Sequence, residues 1–344
     1  MILRVFVAFI LLGIAACERP PAEYRISGET MGTTYNVVVV DYDGNLDQSR
    51  LEQIITDTLD QVNAAYSNWD TNSEISQFNS NVTTEPIAVS DGLIEMVGLA
   101  NALHDRTGGK FDLTLAPVID LWGFGPSGTV TKRPDSDELL EAMESTGQQR
   151  VISVNPAASS ITKTTPDASI DLSSIAKGYG IDAISTALRE QGAESFLVEI
   201  GGDLFASGAT SRGSDWRIGI EKPVVGVRAL ETAIEFTDLG MATSGDYRNY
   251  FEEAGVRFSH IIDPQTGRPI THETASVTVL AEDAMTADAW ATALLALGAD
   301  RGLDVANTEK LAVLFIVRSG DKNELTFNTV SNTLFDQYQA NLGN

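Results

Sequence analysis

The sequence DLSSIAKGYGID, residues 171–182, predicts the start of a helix that carries charges of both signs. Ser173 or Ser174 can cap this helix, because a serine hydroxyl accepts a hydrogen bond from the free N–H groups of the first turn. Apolar residues then recur at helical spacing as far as about Gln191. They are Ile175, Tyr179, Ile184 and Leu188. The stretch therefore predicts an amphipathic helix with one face in the core.

Two glycines in this stretch indicate that something else approaches the helix closely. Gly178 and Gly180 each disfavour a helix interior by roughly 1 kcal/mol. Glycine lets another backbone or a ligand come near, and a helix start offers free N–H groups to an anion. With Asp171 and Lys177 close by, the segment is a candidate ligand site. A capped helix with solvated Asp171 and Lys177 is the alternative, but it leaves the glycines unexplained.

Around this segment, helices and strands follow in an order typical of an α+β fold. Helices are predicted at residues 48–66, 90–107, 139–145, 171–191 and 286–297. Strands are predicted at residues 34–42, 151–155, 160–163, 196–200, 216–221, 230–236, 257–262, 275–280 and 311–317. Many of the strands follow one another like hairpins, which favours α+β over a doubly wound parallel sheet. No internal linker is evident, so residues 25–344 are predicted to form a single elaborated domain.

The segment MTADAWATALLALG, residues 285–298, places two polar side chains on one face of a nearly apolar helix. Asp288 and Thr292 are four residues apart and therefore share that face. A buried carboxylate must be paired, protonated or metal-bound. A few oxygen ligands of this kind suit Mg²⁺, which keeps waters and shares its shell with substrate phosphates. The alternative is that Asp288, in a first turn capped by Thr286, complements the helix dipole, which leaves Thr292 without a role.

His260 is a candidate catalytic residue in the segment SHIIDPQTGRPI, residues 259–270. It is one of three histidines in the chain, and it ends a predicted strand just before a DPQTG turn. A single histidine is more often structural, but the neighbouring Asp263 and the strand-end position make a catalytic role as well supported as a structural one. The segment VEIGGDLFASG, residues 198–208, exposes bare backbone at its paired glycines, which is a weak signal alone.

Residues 1–16 are predicted to be a signal peptide that precedes a lipidated cysteine. Arg4 supplies a short basic start, and the apolar run after it is too short to span a bilayer. Cys17 is the only cysteine, so it suits a lipid anchor better than a disulfide. An ordinary secretory signal with an incidental cysteine is the alternative. Residues 17–24 would be a lipidated tether that holds the protein in the cell envelope, facing the periplasm, with the inner membrane as the expected location.

The formal net charge of −25 excludes some classes of partner. A chain this acidic is a poor nucleic-acid binder and is repelled by anionic lipid head groups. A phosphate-bearing ligand would need local help from backbone N–H groups or a metal ion.

These segments, in this order, resemble those of the ApbE family, the FAD:protein FMN transferases, which are also described as thiamine-biosynthesis lipoproteins. The resemblance extends to four further motifs and covers nearly the whole mature chain. They are MGTTYNV at 31–37, SNWDTNSEISQFN at 67–79, TGGKFDLTLAPVIDLWGFG at 107–125 and TSGDYRNYF at 243–251. The resemblance implies an α+β domain centred on antiparallel sheet with flanking helices.

The resemblance also implies a Mg²⁺-dependent transfer of FMN from FAD to a threonine of an acceptor protein, through a phosphoester bond and with release of AMP. The FAD site would be lined by Met31, Trp69, Gly109, Lys110, Phe111, Asp171, Lys177 and Ile262. Asp288, Thr292 and a backbone oxygen near Ser174 would hold the metal, and His260 would be the catalytic base. Lys110 stands where a small residue is common in the family.

Other functions remain open at this point. An FAD pyrophosphatase would use the same site with water as the acceptor. A non-enzymatic flavin-binding lipoprotein would need the pocket but not Asp288, Thr292 and His260 together, and an unrelated solute-binding lipoprotein would have two hinged α/β lobes. For a transferase, the resemblance implies an acceptor protein with a Ser/Thr-Gly-Ala-Thr-like motif, often part of a membrane redox pump.

Overall fold

The computed structural model describes residues 20–126, 133–224, 226, 229–320 and 326–339. The predicted signal peptide at 1–16 and Cys17 lie outside these ranges. Within them, no helix combines the length and the apolar character needed to cross a membrane.

Ten α-helices occur in the described ranges. They are α1 (Gln48–Tyr66), α2 (Glu74–Ser80), α3 (Asp91–Thr107), α4 (Ala116–Leu121), α5 (Ser136–Glu144), α6 (Gln148–Val151), α7 (Ala176–Glu190), α8 (Ala284–Leu297), α9 (Ala299–Glu309) and α10 (Thr333–Asp336). Two short 3-10 helices, Leu113–Leu115 and Pro156–Ala158, lie between them. The five predicted helices correspond to α1, α3, α5, α7 and α8.

The same ranges contain strands that form one large sheet, one three-stranded sheet and three two-stranded sheets. The strands are β1 (Ala22–Thr30), β2 (Thr33–Asp41), β3 (Ile87–Ala88), β4 (Ile152–Asn155), β5 (Ser160–Lys163), β6 (Ser195–Ile200), β7 (Asp203–Ser207), β8 (Trp216–Glu221), β9 (Leu230–Phe236), β10 (Leu239–Gly245), β11 (Tyr250–Glu253), β12 (Val256–Ser259), β13 (Ile262–Asp263), β14 (Arg268–Pro269), β15 (Thr274–Ala281), β16 (Ala312–Ser319) and β17 (Thr326–Ser331). Eight of them form the main sheet, in the order β1-β2-β6-β7-β10-β15-β16-β17. Every pairing in it is antiparallel, so the predicted α+β class is confirmed.

The two faces of the main sheet are covered differently. Successive side chains of a strand point to opposite faces, so Val277 and Val279 of β15 join the core beneath α3 and α8. Leu280 points the other way and packs with Trp216 of β8 and Phe335 of α10. Burying one such apolar side chain contributes roughly 1.5–3 kcal/mol. Because both faces are covered, β15 is buried along its whole length.

Helices α7 and α8 approach each other at a glycine, as the sequence predicts. A Cβ at Gly178 would lie 2.4 Å from the carbonyl oxygen of Ala284 and 2.5 Å from Cα of Met285. Asp182, one turn further along α7, accepts hydrogen bonds from the N–H groups of Ala284 at 3.0 Å and Met285 at 2.8 Å. The N-terminus of α8 is therefore fixed against α7.

Gly180 serves a second close approach. A Cβ there would lie 3.0 Å from the terminal methyl group of Met31, which sits in the turn between β1 and β2. Met31 has a positive φ of 50°, which is uncommon for a residue other than glycine. Such a conformation is often found next to functional sites.

Several predictions of local structure are wrong. Neither Ser173 nor Ser174 caps α7: the helix has Ile175 at its N-cap without a side-chain hydrogen bond. The hydroxyl of Ser173 donates instead to the Asp171 carboxylate. The predicted strand at 257–262 is interrupted, because β12 ends at Ser259 and β13 begins at Ile262. Strand β1 begins at Ala22, inside the segment assigned to the tether.

Candidate active site

One cavity of about 880 Å³ brings together all but one of the residues that the sequence assigned to a site. Its walls include Met31, Trp69, Lys110, Phe111, Asp171, Ser174, Lys177, His260, Ile262, Asp288 and Thr292. Gly109 does not line the cavity. It follows α3 with a φ of 84°, and its N–H donates to the carbonyl oxygen of His104 at 2.7 Å. Gly109 therefore turns the chain immediately before Lys110 and Phe111.

Three charges from different elements form what we call the charged centre: Lys177 of α7, Asp203 of β7 and Asp288 of α8. The Lys177 ammonium lies 3.0 Å from Asp203 Oδ2 and 3.1 Å from each carboxylate oxygen of Asp288. Both carboxylates are 2% exposed. The N–H of Gly178 also donates to Asp288 Oδ2, at 3.1 Å. The close approach of α7 and α8 thus delivers both a backbone donor and an ammonium group to one carboxylate.

Burial and pairing compete at the charged centre. Burial raises the pKa of Asp288, and the positive charge of Lys177 opposes that rise. Burial alone would lower the pKa of Lys177, but Asp203 and Asp288 outweigh it and the pKa is raised. Two carboxylates share one ammonium group, so the centre has a negative balance that favours a further cation.

Thr292 lies one turn beyond Asp288 on α8, on the same side of the helix. Its hydroxyl is 3.1 Å from the hydroxyl of Ser244 on β10, and both residues line the cavity. Ser174 lines the cavity as well. Within the described ranges, no three His, Cys, Asp or Glu side chains are grouped so that they could hold a metal ion. Any metal here would therefore take hydroxyl, backbone or substrate oxygens in addition to carboxylate oxygens.

Asp171 lines the cavity in a segment that two asparagine side chains hold in place. It is 8% exposed, and it accepts a hydrogen bond from the N–H of Ser173 at 2.8 Å. The amide of Asn79 binds both the N–H and the carbonyl oxygen of Ile170, at 2.7 and 2.8 Å, and Asn68 bonds to the same carbonyl at 2.7 Å. Burial raises the pKa of Asp171, and its bonds with Ser173 oppose that rise. The side chains of Asn68 and Asn79 thus fix the position of a buried carboxyl group.

His260 lies between β12 and β13, with its imidazole on the cavity wall. Its Nδ1 is 2.9 Å from the carbonyl oxygen of Asn249. A carbonyl only accepts hydrogen bonds, so Nδ1 carries the proton and Nε2 of the neutral ring is free to accept one. Burial lowers the pKa of His260, and the charge of Lys177 acts in the same direction. The neutral, proton-accepting form is therefore favoured.

Asp263 does not accompany His260 as the sequence suggested. Both of its carboxylate oxygens lie 2.7 Å from the ammonium group of Lys110, which is 8% exposed. A second bond, from Nε2 of Gln265 to the carbonyl oxygen of Gly108 at 2.9 Å, joins the same two loops. The ion pair therefore fastens the turn after α3 to the segment that follows His260.

The sequence interpretation missed several cavity residues, among them Asn68, Asp203, Ser244 and Arg248. Asp203 could have been found from the sequence, since an acidic residue directly after Gly201–Gly202 and before an apolar strand is a candidate site residue. Arg248 lies in the motif TSGDYRNYF, where an arginine in an acidic chain is itself a hint of an anion. Asn68 and Ser244 carry no pattern that a single sequence reveals.

A comparison with protein families matches residues 31–315 to the family described as the ApbE family. The chain belongs to the ApbE family. A relative from Vibrio cholerae serotype O1 is 43% identical over 311 residues, which cover 90% of this chain and 92% of the relative. One from Haemophilus influenzae is 41% identical over 324 residues, which cover 93% of each chain. Both relatives are named FAD:protein FMN transferase.

Solved structures of ApbE proteins have the same fold as this chain. The flavin transferase ApbE from Vibrio cholerae matches with a TM-score of 0.85 and 39% identity, over 93% of this chain and 100% of that one. The apo form of the Pseudomonas stutzeri flavinyl transferase ApbE matches with a TM-score of 0.84 and 36% identity, over 92% of this chain and 97% of that one. The ApbE-like α+β fold that the sequence predicted is thereby confirmed.

Proposed function

We propose that this member of the ApbE family is an FAD:protein FMN transferase that moves FMN from FAD to a threonine hydroxyl of an acceptor protein. The observation that carries the proposal is that His260, whose Nδ1 is bound to Asn249 and whose Nε2 is free to accept a proton, lines the same cavity as the charged centre. A proton acceptor and a centre suited to phosphate chemistry are both needed for phosphoryl transfer to a hydroxyl. The curated relatives support the same activity.

FAD is the expected substrate in the cavity. The volume of about 880 Å³ lies in the range of pockets that enclose ligands of this size. Apolar walls at Met31, Phe111 and Ile262 suit a planar ring system, and Trp69 offers a further aromatic face. The buried Asp171 carboxyl group can exchange hydrogen bonds with polar atoms of the flavin or the adenosine.

The donor set at the charged centre fits Mg²⁺. Asp288 supplies one carboxylate, and Thr292, together with a backbone oxygen near Ser174, would supply the other protein ligands. Both oxygens of the Asp288 carboxylate already bind one cation, the ammonium group of Lys177. This supports a carboxylate that can bind a metal ion. Few protein ligands leave room for water and substrate phosphate, which Mg²⁺ prefers. When bound, the ion would neutralise the pyrophosphate and polarise the phosphoryl group under attack.

In the proposed reaction, His260 accepts the proton of the acceptor hydroxyl at Nε2. The threonine oxygen forms a bond to the phosphorus of the FMN half, and the bond from that phosphorus to the bridging oxygen of the pyrophosphate breaks. AMP leaves with the bridging oxygen. Asn249 sets the tautomer of the neutral ring before the transfer, because its carbonyl oxygen holds the proton on Nδ1 and leaves Nε2 free.

The test is incubation of the protein with FAD, Mg²⁺ and a peptide that carries a Ser/Thr-Gly-Ala-Thr-like motif, followed by mass measurement. The peptide should gain the mass of FMN less one water, with one AMP released, and a peptide whose acceptor threonine is valine should stay unmodified. Free FMN and AMP with an unchanged peptide would indicate a pyrophosphatase. Bound FAD with no product of either kind would indicate a flavin carrier.

We further infer that Cys17 is lipidated and holds the enzyme at the membrane, facing the periplasm. Since β1 begins at Ala22, only a few residues would separate the anchor from the folded domain. Cys17→Ser should release the protein in soluble or uncleaved form. Native protein that is wholly soluble and has no lipid mass at its N-terminus would contradict the anchor.

A further inference from the structure

Among the described residues that line the cavity, Lys110, Lys177 and Arg248 carry a positive charge. Arg248 differs from the two lysines because it is not part of an ion pair in the described ranges. Lys110 is held by Asp263 at 2.7 Å, and Lys177 is shared between the two carboxylates of the charged centre. Arg248 forms no ion pair with a described carboxylate. The cavity therefore contains one guanidinium group whose charge is available to an anion.

The position of Arg248 is fixed by its surroundings even though the residue is exposed. Its Nη1 donates to the carbonyl oxygen of Gly201 at 3.2 Å, and its Cζ lies 5.8 Å from the ring centre of Tyr247. The next residue, Asn249, accepts bonds from both the backbone N–H and Nδ1 of His260, at 3.1 and 2.9 Å. One short loop thus presents the guanidinium and holds the imidazole on the same cavity.

A guanidinium group in this position matches the charge and the shape of a phosphate group. It has five N–H donors in a planar fork, and its bonds with the Gly201 carbonyl oxygen and the Tyr247 side chain leave donors available to a phosphate. Two parallel bonds from such a fork to phosphate oxygens are among the strongest hydrogen bonds in proteins. A pyrophosphate that enters this acidic protein needs such a partner, because the carboxylates that line the cavity repel it.

We propose that Arg248 binds the pyrophosphate of FAD. The inference rests on the proposed function only in taking FAD as the ligand. Arg248 is then a substrate-binding residue beside Gly201: the carbonyl oxygen of Gly201 accepts a bond from Arg248, and a Cβ at Gly201 would lie 3.6 Å from Cδ of Lys177. The guanidinium group would offset the repulsion between the phosphates and the carboxylates of the charged centre.

The experiment compares FAD with riboflavin, which has the same ring system and no phosphate. Binding of each is measured by flavin fluorescence without an acceptor, for the native protein, Arg248→Ala, Arg248→Lys and Arg25→Ala. Arg248→Ala should weaken FAD binding by about 10–100-fold and leave riboflavin binding unchanged within about twofold. Arg248→Lys should fall in between, because it keeps the charge and loses the fork. Arg25 is exposed on β1 outside the cavity, so Arg25→Ala is the matched control. This variant should bind FAD and riboflavin as tightly as the native protein does.

Chemical rescue separates a phosphate contact from a structural role. Millimolar guanidinium ion should restore part of the FAD affinity of Arg248→Ala and should not change that of Arg25→Ala. Equal losses for FAD and riboflavin, or unchanged FAD affinity, would overturn the role of Arg248. A native protein that binds FAD with the predicted dependence on Arg248 but transfers no FMN would count against the proposed function alone.

Discussion

The charged centre and the cavity rim differ in how their polar groups are satisfied before any substrate arrives. Lys177, Asp203 and Asp288 are held by α7, β7 and α8, and they form ion pairs with one another inside the protein. The rim, which we define as Trp69, Arg248 and His260, is held by loops and retains free hydrogen-bonding capacity. Trp69 is 69% exposed.

This difference separates two ways of building a site. A buried charge without its partner destabilises the fold, so the charges of the centre must be paired within the protein. In the rim, Trp69 and Arg248 are exposed to water and His260 is partly exposed, so these groups tolerate the absence of a protein partner. Substitutions at the centre should therefore affect folding and chemistry together, while those at the rim should affect chemistry with little change in stability.

Asp288→Ala should have the largest effect on activity. It removes the carboxylate of the proposed metal site and leaves Lys177 paired with Asp203 alone, so FMN transfer should fall by more than about 10⁴-fold and lose its dependence on Mg²⁺. A steady-state assay across Mg²⁺ concentrations measures both. The variant should lose stability, but because Asp203 still pairs with Lys177 it should remain folded by circular dichroism at room temperature. Transfer at the native rate would show that Asp288 holds no metal.

His260→Ala should have the next largest effect, a loss of about 10²–10⁴-fold in the transfer rate. FAD binding should persist, because the charged centre and the apolar walls are unchanged. Stopped-flow measurement of transfer, beside a fluorescence titration with FAD, distinguishes the two steps. A variant that transfers within a few-fold of the native rate would make His260 structural.

The pH dependence of the native enzyme tests the same residue. Burial lowers the pKa of His260 from an ordinary value near ~6.5, and only the neutral ring accepts a proton. As pH rises through the lowered pKa, the ring loses its proton and kcat/KM should increase, with a midpoint below about 6.5. The increase should be absent in His260→Ala. A midpoint above 6.5 that disappears with His260 would contradict the lowered pKa.

The sequence predicted the elements that hold these two regions better than the contacts within them. Helices α1, α7 and α8 have strong apolar periodicity or distinctive glycines, and Gly178 marks the crossing of α7 and α8. Strand β1 was missed because most residues of its sequence AEYRISGET are polar, so it lacks a clear alternation of apolar and polar residues. Such a composition is expected for an edge strand of the main sheet. Helix α9 has little apolar character and was missed for a similar reason.

Contacts within the site could not be predicted, because they join residues that are far apart along the chain. Lys177 and Asp288 meet only once α7 and α8 have packed, and Asp203 joins them from a strand beneath. The expected partnership of His260 with Asp263 failed for the same reason: Lys110, from a distant turn, takes the carboxylate. The expected serine cap failed locally, because Asp171 binds Ser173 before the helix begins.

Gly178→Val tests the packing that supports the charged centre. Its side chain would meet the backbone of Ala284 and Met285, neither of which can move without shifting the start of α8. The free energy of unfolding should fall by about 1–3 kcal/mol, as for other overpacked interiors. Urea denaturation measures it. Gly98→Val is the control, since nothing lies within 4 Å of a Cβ at that helical position. Equal losses for both variants would assign the effect to helix propensity rather than to packing.

Trp69→Ala should have the smallest effect and should separate the rim from the centre most clearly. The side chain is 69% exposed, so its removal should change the free energy of unfolding by less than about 0.5 kcal/mol. Contact between aromatic rings contributes about 0.5–1.5 kcal/mol, so loss of the indole should raise the KM for FAD by about 2–10-fold while kcat changes little. Leu140→Ala, at a comparably exposed apolar residue outside the cavity, is the matched control and should change neither quantity. A loss of stability in Trp69→Ala as large as that in Gly178→Val would mean that the rim is part of the folded core, and the contrast between the two regions would not hold.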